Sequence, residues 1–183
     1  MSDNLLSQPL FLCGMMGSGK STVGKRLAQK LSVPFNDLDQ LIEEKTGKSI
    51  PDIFNEKGED HFRKVERDLI IRFSQTAEGI IALGGGTLQN QQITDHIKLK
   101  GWLAHLHCSP ETLYSRLKSN SGRPVIASLS DEDLRLKIST LLKNRMKYYE
   151  QSHFSINCNS RSVDSILEEL IQKLKIYEQK HTG

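Results

Sequence analysis

The stretch from Gly14 to Ser21 reads GMMGSGKS and follows the apolar run LFLC. It satisfies the pattern G-x-x-x-x-G-K-[ST] at every fixed position. Such a turn constrains the chain around it, because it joins the end of a buried strand to the start of a helix. Gly14, Gly17 and Gly19 let the backbone turn and come close to a ligand where a Cβ would clash, so successive N–H groups can converge on phosphate oxygens. Gly17, Ser18, Gly19, Lys20, Ser21 and Thr22 therefore form a candidate ATP cradle. Lys20 is placed to reach the β- and γ-phosphates, the Ser21 hydroxyl to bind Mg²⁺, and the following helix to offer its positive N-terminal end. A plain strand-to-helix turn with an incidental lysine would need only one glycine.

A chain of 183 residues with 37% hydrophobic content can bury one sizeable core, which predicts a single domain over 1–183. The net charge is +3, and the 25 Lys/Arg are scattered among 22 Asp/Glu, so neither nucleic acid nor an anionic membrane is an expected partner. No stretch has the apolar length of a membrane span, and Met1 to Gln8 lacks the basic start and apolar run of a leader, so a cytoplasmic protein is expected. Cys13, Cys108 and Cys158 each fall near the end of an expected strand and form no CxxC pair, which reads as three reduced, buried thiols. The HLHC run at His105 to Cys108 alternates across a strand and has no second ligand pair to complete a zinc site.

Short apolar strands alternate with amphipathic helical stretches. Strands are expected at Pro9 to Cys13, Val33 to Asp37, Gly79 to Leu83, Trp102 to His107 and Phe154 to Cys158. Helices are expected from near Lys20, Asp39, Glu59, Gln89, Pro110 and Asp131, with a last one from Val163 to about Gln179. This alternation implies an α/β fold with a mostly parallel sheet covered on both faces. Ligands of such sheets gather at the carboxyl ends of the strands.

The second strand ends in NDLD, where an extended backbone would point Asp37 and Asp39 to one side. The bland reading makes Asp39 a helix N-cap and Asp37 a loop carboxylate. Beside a phosphate cradle, the pair could instead divide two tasks, holding Mg²⁺ and serving a phosphoryl acceptor. The third strand ends in Gly84, Gly85 and Gly86 and carries no aspartate there, which makes Asp37 the better metal candidate. Of three arginines, Arg63 reads as a surface partner of Glu66 and Arg145 as solvated charge at a basic helical end. Pattern alone assigns function only to Arg123, in the polar SNSGRPVIASLSD segment that breaks helical periodicity as a mobile lid would.

The set GMMGSGKSTVGKRLA, FNDLDQLIEEKTGKSIPDIFNEKGEDHFRKVE, LGGGT, GRP and RMKYYEQ, in this order and spacing, closely resembles the shikimate kinase family. The resemblance implies a P-loop three-layer sandwich with a five-stranded parallel sheet in the order 2-3-1-4-5, and a mobile lid at about 120–130. It implies ATP-dependent phosphorylation of the 3-hydroxyl of shikimate, with Mg²⁺ held by Ser21 and, through water, by Asp37. Carried over by position, Asp39, Arg63, Gly84, Gly85, Gly86 and Arg145 would bind shikimate. Lys20, Asp39 and Arg123 would be catalytic, and Arg116 and Arg161 would join Arg123 on the ATP side, with Arg116 against adenine. A monomer whose partners are these two small molecules is expected. Two departures stand out: the lid reads RPVIAS where RPLL is usual, and Asn157 and Val163 replace an aspartate and a proline near adenine. The alternatives are another kinase of this fold acting on gluconate, or an ATP-binding regulatory module without transfer.

Overall fold

The structure is a computed structural model that describes residues 5–119 and 129–181. The expected lid at 120–130, and Arg123 with it, therefore falls almost wholly outside the described residues.

Five parallel strands form one sheet in the order β2-β3-β1-β4-β5. They are β1 (Leu10–Cys13), β2 (Phe35–Asp37), β3 (Ile80–Ala82), β4 (Trp102–His107) and β5 (Phe154–Asn157). The helices are α1 (Lys20–Leu31), α2 (Leu38–Thr46), α3 (Ile50–Phe73), α4 (Gln91–Lys100), α5 (Pro110–Lys118), α6 (Asp131–Tyr149) and α7 (Val163–His181). Consecutive residues of β1, β3 and β4 are buried, so both faces of the central sheet are covered, as expected of parallel strands. Leu10, Phe11, Leu12, Ile80, Ile81, Leu103 and Leu106 are fully shielded from solvent and make the centre of the core. From the far end of the chain, α7 buries Ile166, Leu167, Leu170 and Leu174 at helical spacing. Its Glu178 accepts from Trp102 Nε1 at 2.7 Å and from Ser7 N at 3.1 Å, tying α7 to β4 and to the segment before β1.

Several expected boundaries shift, three of them for a clear local reason. Val33 does not enter β2, because its N–H donates to Ala28 O at 3.0 Å, next to the left-handed Ser32 that ends α1, and Pro34 has no N–H to give. The helix expected from Glu59 begins nine residues earlier, at Ile50, capped by Ser49 Oγ on Asp52 N at 3.2 Å and carrying Pro51 in its first turn. Gly58, at φ 78° and ψ 174°, interrupts it, so the sequence pattern catches only the second limb. At the end of β2 the extended backbone stops with Asp37. The residue that caps α2 is Asp37, not Asp39: its Oδ1 accepts from Asp39 N at 3.0 Å. Asp39 thus stands in the first helical turn, and the alternating geometry expected for the pair does not apply.

Candidate active site

The glycine-rich turn lies at the carboxyl end of β1, in the middle of the sheet. Gly17 at φ 81° and Gly19 at φ 96° supply left-handed conformations that a residue with a Cβ adopts only under strain. Lys20 opens α1 yet is only 9% exposed, because its side chain folds back into the turn and Nζ donates to Gly14 O at 2.9 Å and Met15 O at 3.0 Å. Beside it the Ser18 hydroxyl is buried without a hydrogen-bond partner among the described residues. Across the turn, Ser21 Oγ donates to Asp37 Oδ2 at 2.6 Å, so one hydroxyl and one carboxylate meet where β2 ends. These are hard oxygen donors of the kind Mg²⁺ takes while keeping several waters.

Lys20, Ser21, Asp37, Asp39 and Gly85 line one cavity of about 410 Å³ that continues past Arg116, Arg161 and Val163. Of the acceptor-side candidates expected from the sequence, Asp39 and Gly85 therefore share a space with the phosphate cradle, while Arg63 and Gly86 line a second cavity. At its far end Arg116 reaches the glycine turn, with Nη1 donating to Gly17 O at 3.3 Å and Ser18 O at 3.2 Å, and Nη2 to Cys158 O at 3.1 Å. Arg161 is held by Asn157 O at 3.1 Å, Ser165 O at 2.8 Å and the Glu169 carboxylate.

The three consecutive glycines are explained by crowding. A Cβ on Gly84 would come within 2.7 Å of Glu66 Oε1 and 3.0 Å of Asp39 Oδ1, and one on Gly86 within 2.6 Å of Arg63 Nη2. A Cβ on Gly85 would stand 3.3 Å from Arg145 Nη1. The segment is thus a thin wall with a guanidinium at each of two successive residues.

Two bland readings of those arginines fail. Arg145 is no solvated charge: it is 6% exposed, with Nη1 3.4 Å from Met15 Sδ. With the Gln89 amide oxygen turned toward it, that oxygen accepts from Arg145 Nε and Nη2, each at 3.1 Å. The Arg63–Glu66 pair is no surface pair either. Arg63 Nη1 donates to Glu66 Oε2 at 2.7 Å, Glu66 is 3% exposed, and its Oε1 accepts from Thr87 Oγ1 at 2.6 Å. Burial opposes the Arg63 charge, but Glu66 and then Glu59 outweigh it, so the pKa is raised and the guanidinium stays charged. Arg63 lines a neighbouring cavity of about 340 Å³ with Glu59 and Gly86, whereas Asp39 lines the first. Sequence reading missed Thr87 and Gln89, although they lie one and three residues after the glycine run. It also missed Tyr149, whose hydroxyl donates to Gly85 O at 2.5 Å.

Behind this wall Tyr149 stacks on His105, with ring centroids 4.9 Å apart. Burial first, then the charges of His107 and Lys20, push the His105 imidazole down to about 4. In the unfolded chain it titrates near ~6.5. Between these values the unfolded state binds more protons, so this contribution is fully present above about pH 6.5 and is lost as pH falls toward 4. We expect a loss of about 2 kcal/mol between pH 7 and pH 5, read from urea unfolding, with most of it absent in His105→Gln.

The profile of the shikimate kinase family matches residues 16–175. The chain belongs to the shikimate kinase family. It is 40% identical over 179 residues to a shikimate kinase of Chlorobium phaeobacteroides, covering 95% of this chain and 94% of that one. Among solved structures, the shikimate kinase of Acinetobacter baumannii in complex with shikimate superposes with a TM-score of 0.86 at 30% identity, covering 95% of this chain and 97% of that one. A gluconokinase from Sinorhizobium meliloti covers 97% of each chain with a TM-score of 0.64 but only 16% identity, a likeness of fold alone. The expected sheet order and family are those found, and the gluconate alternative is not favoured. In this shikimate kinase family member the glycine turn, Asp37, Asp39 and Gly85 line one cavity. Among the described residues no helix is long and apolar enough to cross a membrane.

Proposed function

We propose that the protein transfers the γ-phosphoryl group of ATP to the 3-hydroxyl of shikimate, a step toward chorismate and the aromatic amino acids. The observation that carries this reading is the single cavity shared by Lys20, Ser21, Asp37, Asp39 and Gly85. Family membership supplies the identity of the acceptor. Phosphoryl transfer asks a protein mainly for positioning and for neutralising charge on the transferring group. Lys20 supplies positive charge: its three N–H donors are now shared with two neutral carbonyls, against which an anionic phosphate competes well. Asp39 engages the acceptor hydroxyl, orienting it or accepting its proton. The planar forks of Arg145 and Arg63, presented at Gly85 and Gly86, hold the ring carboxylate. Arg123 is the lid arginine, and Arg116 and Arg161 border the adenine end.

Mg²⁺ fits the Ser21 hydroxyl directly and the Asp37 carboxylate through water, and when bound it would neutralise charge on the β- and γ-phosphates. Asp37→Asn keeps a good cap for α2 but removes the negative charge. We therefore expect near-normal stability and a severalfold higher Mg²⁺ concentration for half-maximal rate. An unchanged Mg²⁺ titration would remove Asp37 from the metal site.

The proposal as a whole is tested by ADP release with shikimate or gluconate as the only added acceptor. Release with shikimate and background release with gluconate are expected. The reverse pattern would favour the gluconate reading.

A further inference from the structure

Fifty residues separate two thiols that the sheet brings side by side. In the β4–β5 ladder His107 pairs with Asn157, and Cys158 N donates to His107 O at 2.8 Å, so Cys108 and Cys158 are the next neighbours in parallel register. Adjacent strands lie roughly 4.8 Å apart. That falls inside the window of about 4.4–6.8 Å between Cα atoms that a disulfide accepts.

The surroundings of the two sulfurs differ. Cys108 Sγ accepts from Arg116 Nη1 at 3.5 Å and donates to Ser18 O, in the glycine turn, at 3.8 Å. It also precedes Ser109, the N-cap of α5, where the positive helix end begins. The adjoining Cys158 thiol, joined by Arg116 and Lys20 and opposed by burial, pulls the Cys108 thiol below the ordinary cysteine range, while Cys158, whose Sγ donates to Ile156 O at 3.5 Å, is pushed up. A thiolate in electropositive surroundings is the nucleophile that oxidation selects. Cys13 lies elsewhere, beside Ser152 at 3.3 Å, and burial pushes it up to about 12.

We propose that Cys108 and Cys158 are a peroxide-oxidised pair that closes into a disulfide behind the glycine turn and weakens nucleotide binding. The Cys108 thiolate attacks one oxygen of hydrogen peroxide; the O–O bond breaks, a sulfenic acid forms and hydroxide leaves. The Cys158 thiol then attacks the sulfenic sulfur; the S–S bond forms, the S–O bond breaks, and the oxygen departs as water with the Cys158 proton. Two thiols are oxidised, one peroxide is reduced to two waters, and a dithiol reverses the change. Both sulfurs are buried, but Ser18 and Arg116, which touch Cys108, line the 410 Å³ cavity, through which so small an oxidant can approach. The disulfide removes the charge from the sulfur that accepts from Arg116 and moves that sulfur relative to Ser18 O, and Arg116 itself holds Gly17 O and Ser18 O. The effect on nucleotide rests on the proposed ATP reading; the crosslink does not.

The test treats the full chain with a few equivalents of hydrogen peroxide, removes the excess with catalase, blocks free thiols in denaturant with N-ethylmaleimide and maps peptides by mass spectrometry. A Cys108–Cys158 crosslinked peptide is expected with Cys13 alkylated, and dithiothreitol should reverse it. The ATP concentration for half-maximal rate should rise about threefold on oxidation, the scale of one lost hydrogen bond. In Cys158→Ser, dimedone should trap the Cys108 sulfenic acid, with no crosslink. Three alkylated thiols after peroxide, or a crosslink through Cys13 or between chains, would overturn the pairing in the wild-type protein without any variant. A Cys108–Cys158 crosslink that leaves the ATP dependence unchanged would overturn the effect on nucleotide. If shikimate-dependent ADP release is absent before oxidation, the proposed function fails while the peptide map still decides the pairing.

Discussion

Lys20→Met should lower turnover on the order of 10²-fold or more, the usual scale for removing a donor that faces developing charge. Methionine is close to lysine in length, so the glycine turn keeps its filler and loses only the ammonium. That ammonium donates to Gly14 O and Met15 O, so the variant also leaves two carbonyls of the turn without this donor. A modest loss of thermal stability is expected beside the kinetic effect. ATP should still bind, because the N–H groups of Gly17 to Thr22 and the start of α1 are unchanged. Pre-steady-state quench-flow separates the outcomes: the chemical step should slow far more than ATP affinity falls. Near-normal turnover would remove Lys20 from the catalytic role.

Arg145→Ala should raise the KM for shikimate roughly 10²-fold, corresponding to the few kcal/mol typical of leaving a buried charge without its partner. Arg145 is buried against Met15 and Gln89 and sits over Gly85, so nothing else described occupies its place at the wall. Lysine should rescue poorly, because it offers a point charge where, in the proposed reading, a planar fork spans the Gln89 oxygen and the ring carboxylate. The KM for ATP should move little. A shikimate KM within twofold of the unsubstituted protein would return Arg145 to a purely structural role.

Much of this site could be read from the chain, and what could not has a common physical cause. The glycine turn was legible because its chemistry is local: eight consecutive residues carry both backbone shape and charge. Strand positions were legible because parallel strands buried on both faces read as continuous apolar runs. The order of the strands came from family resemblance, since periodicity says nothing about which strand lies next to which. Arg145 illustrates the limit. Within KNRMKYYEQ it looks like solvated charge, and only the packing of α6 against the wall at Gly85 and Gln89 buries it. The Arg63–Glu66 spacing was visible, but Thr87, which turns that pair into a buried network, lies 21 residues farther on. Asp37 was expected to bind metal, and its capping of α2 was missed because that helix begins at Leu38, one residue sooner than the start expected at Asp39. The neighbouring Cys108 and Cys158 were read as separate buried thiols for the same reason: their contact depends on the pairing of β4 with β5.

The central claim is that one cavity brings the phosphate cradle and the acceptor-binding wall together for direct transfer to a single hydroxyl. The most direct measurement is ³¹P NMR of a reaction containing the protein, ATP, Mg²⁺ and shikimate. The account predicts one new phosphomonoester signal, coupled to the proton on C3 of the ring and growing in step with ADP. Inorganic phosphate growing with ADP in place of the phosphomonoester, or an ester on another hydroxyl, would contradict it.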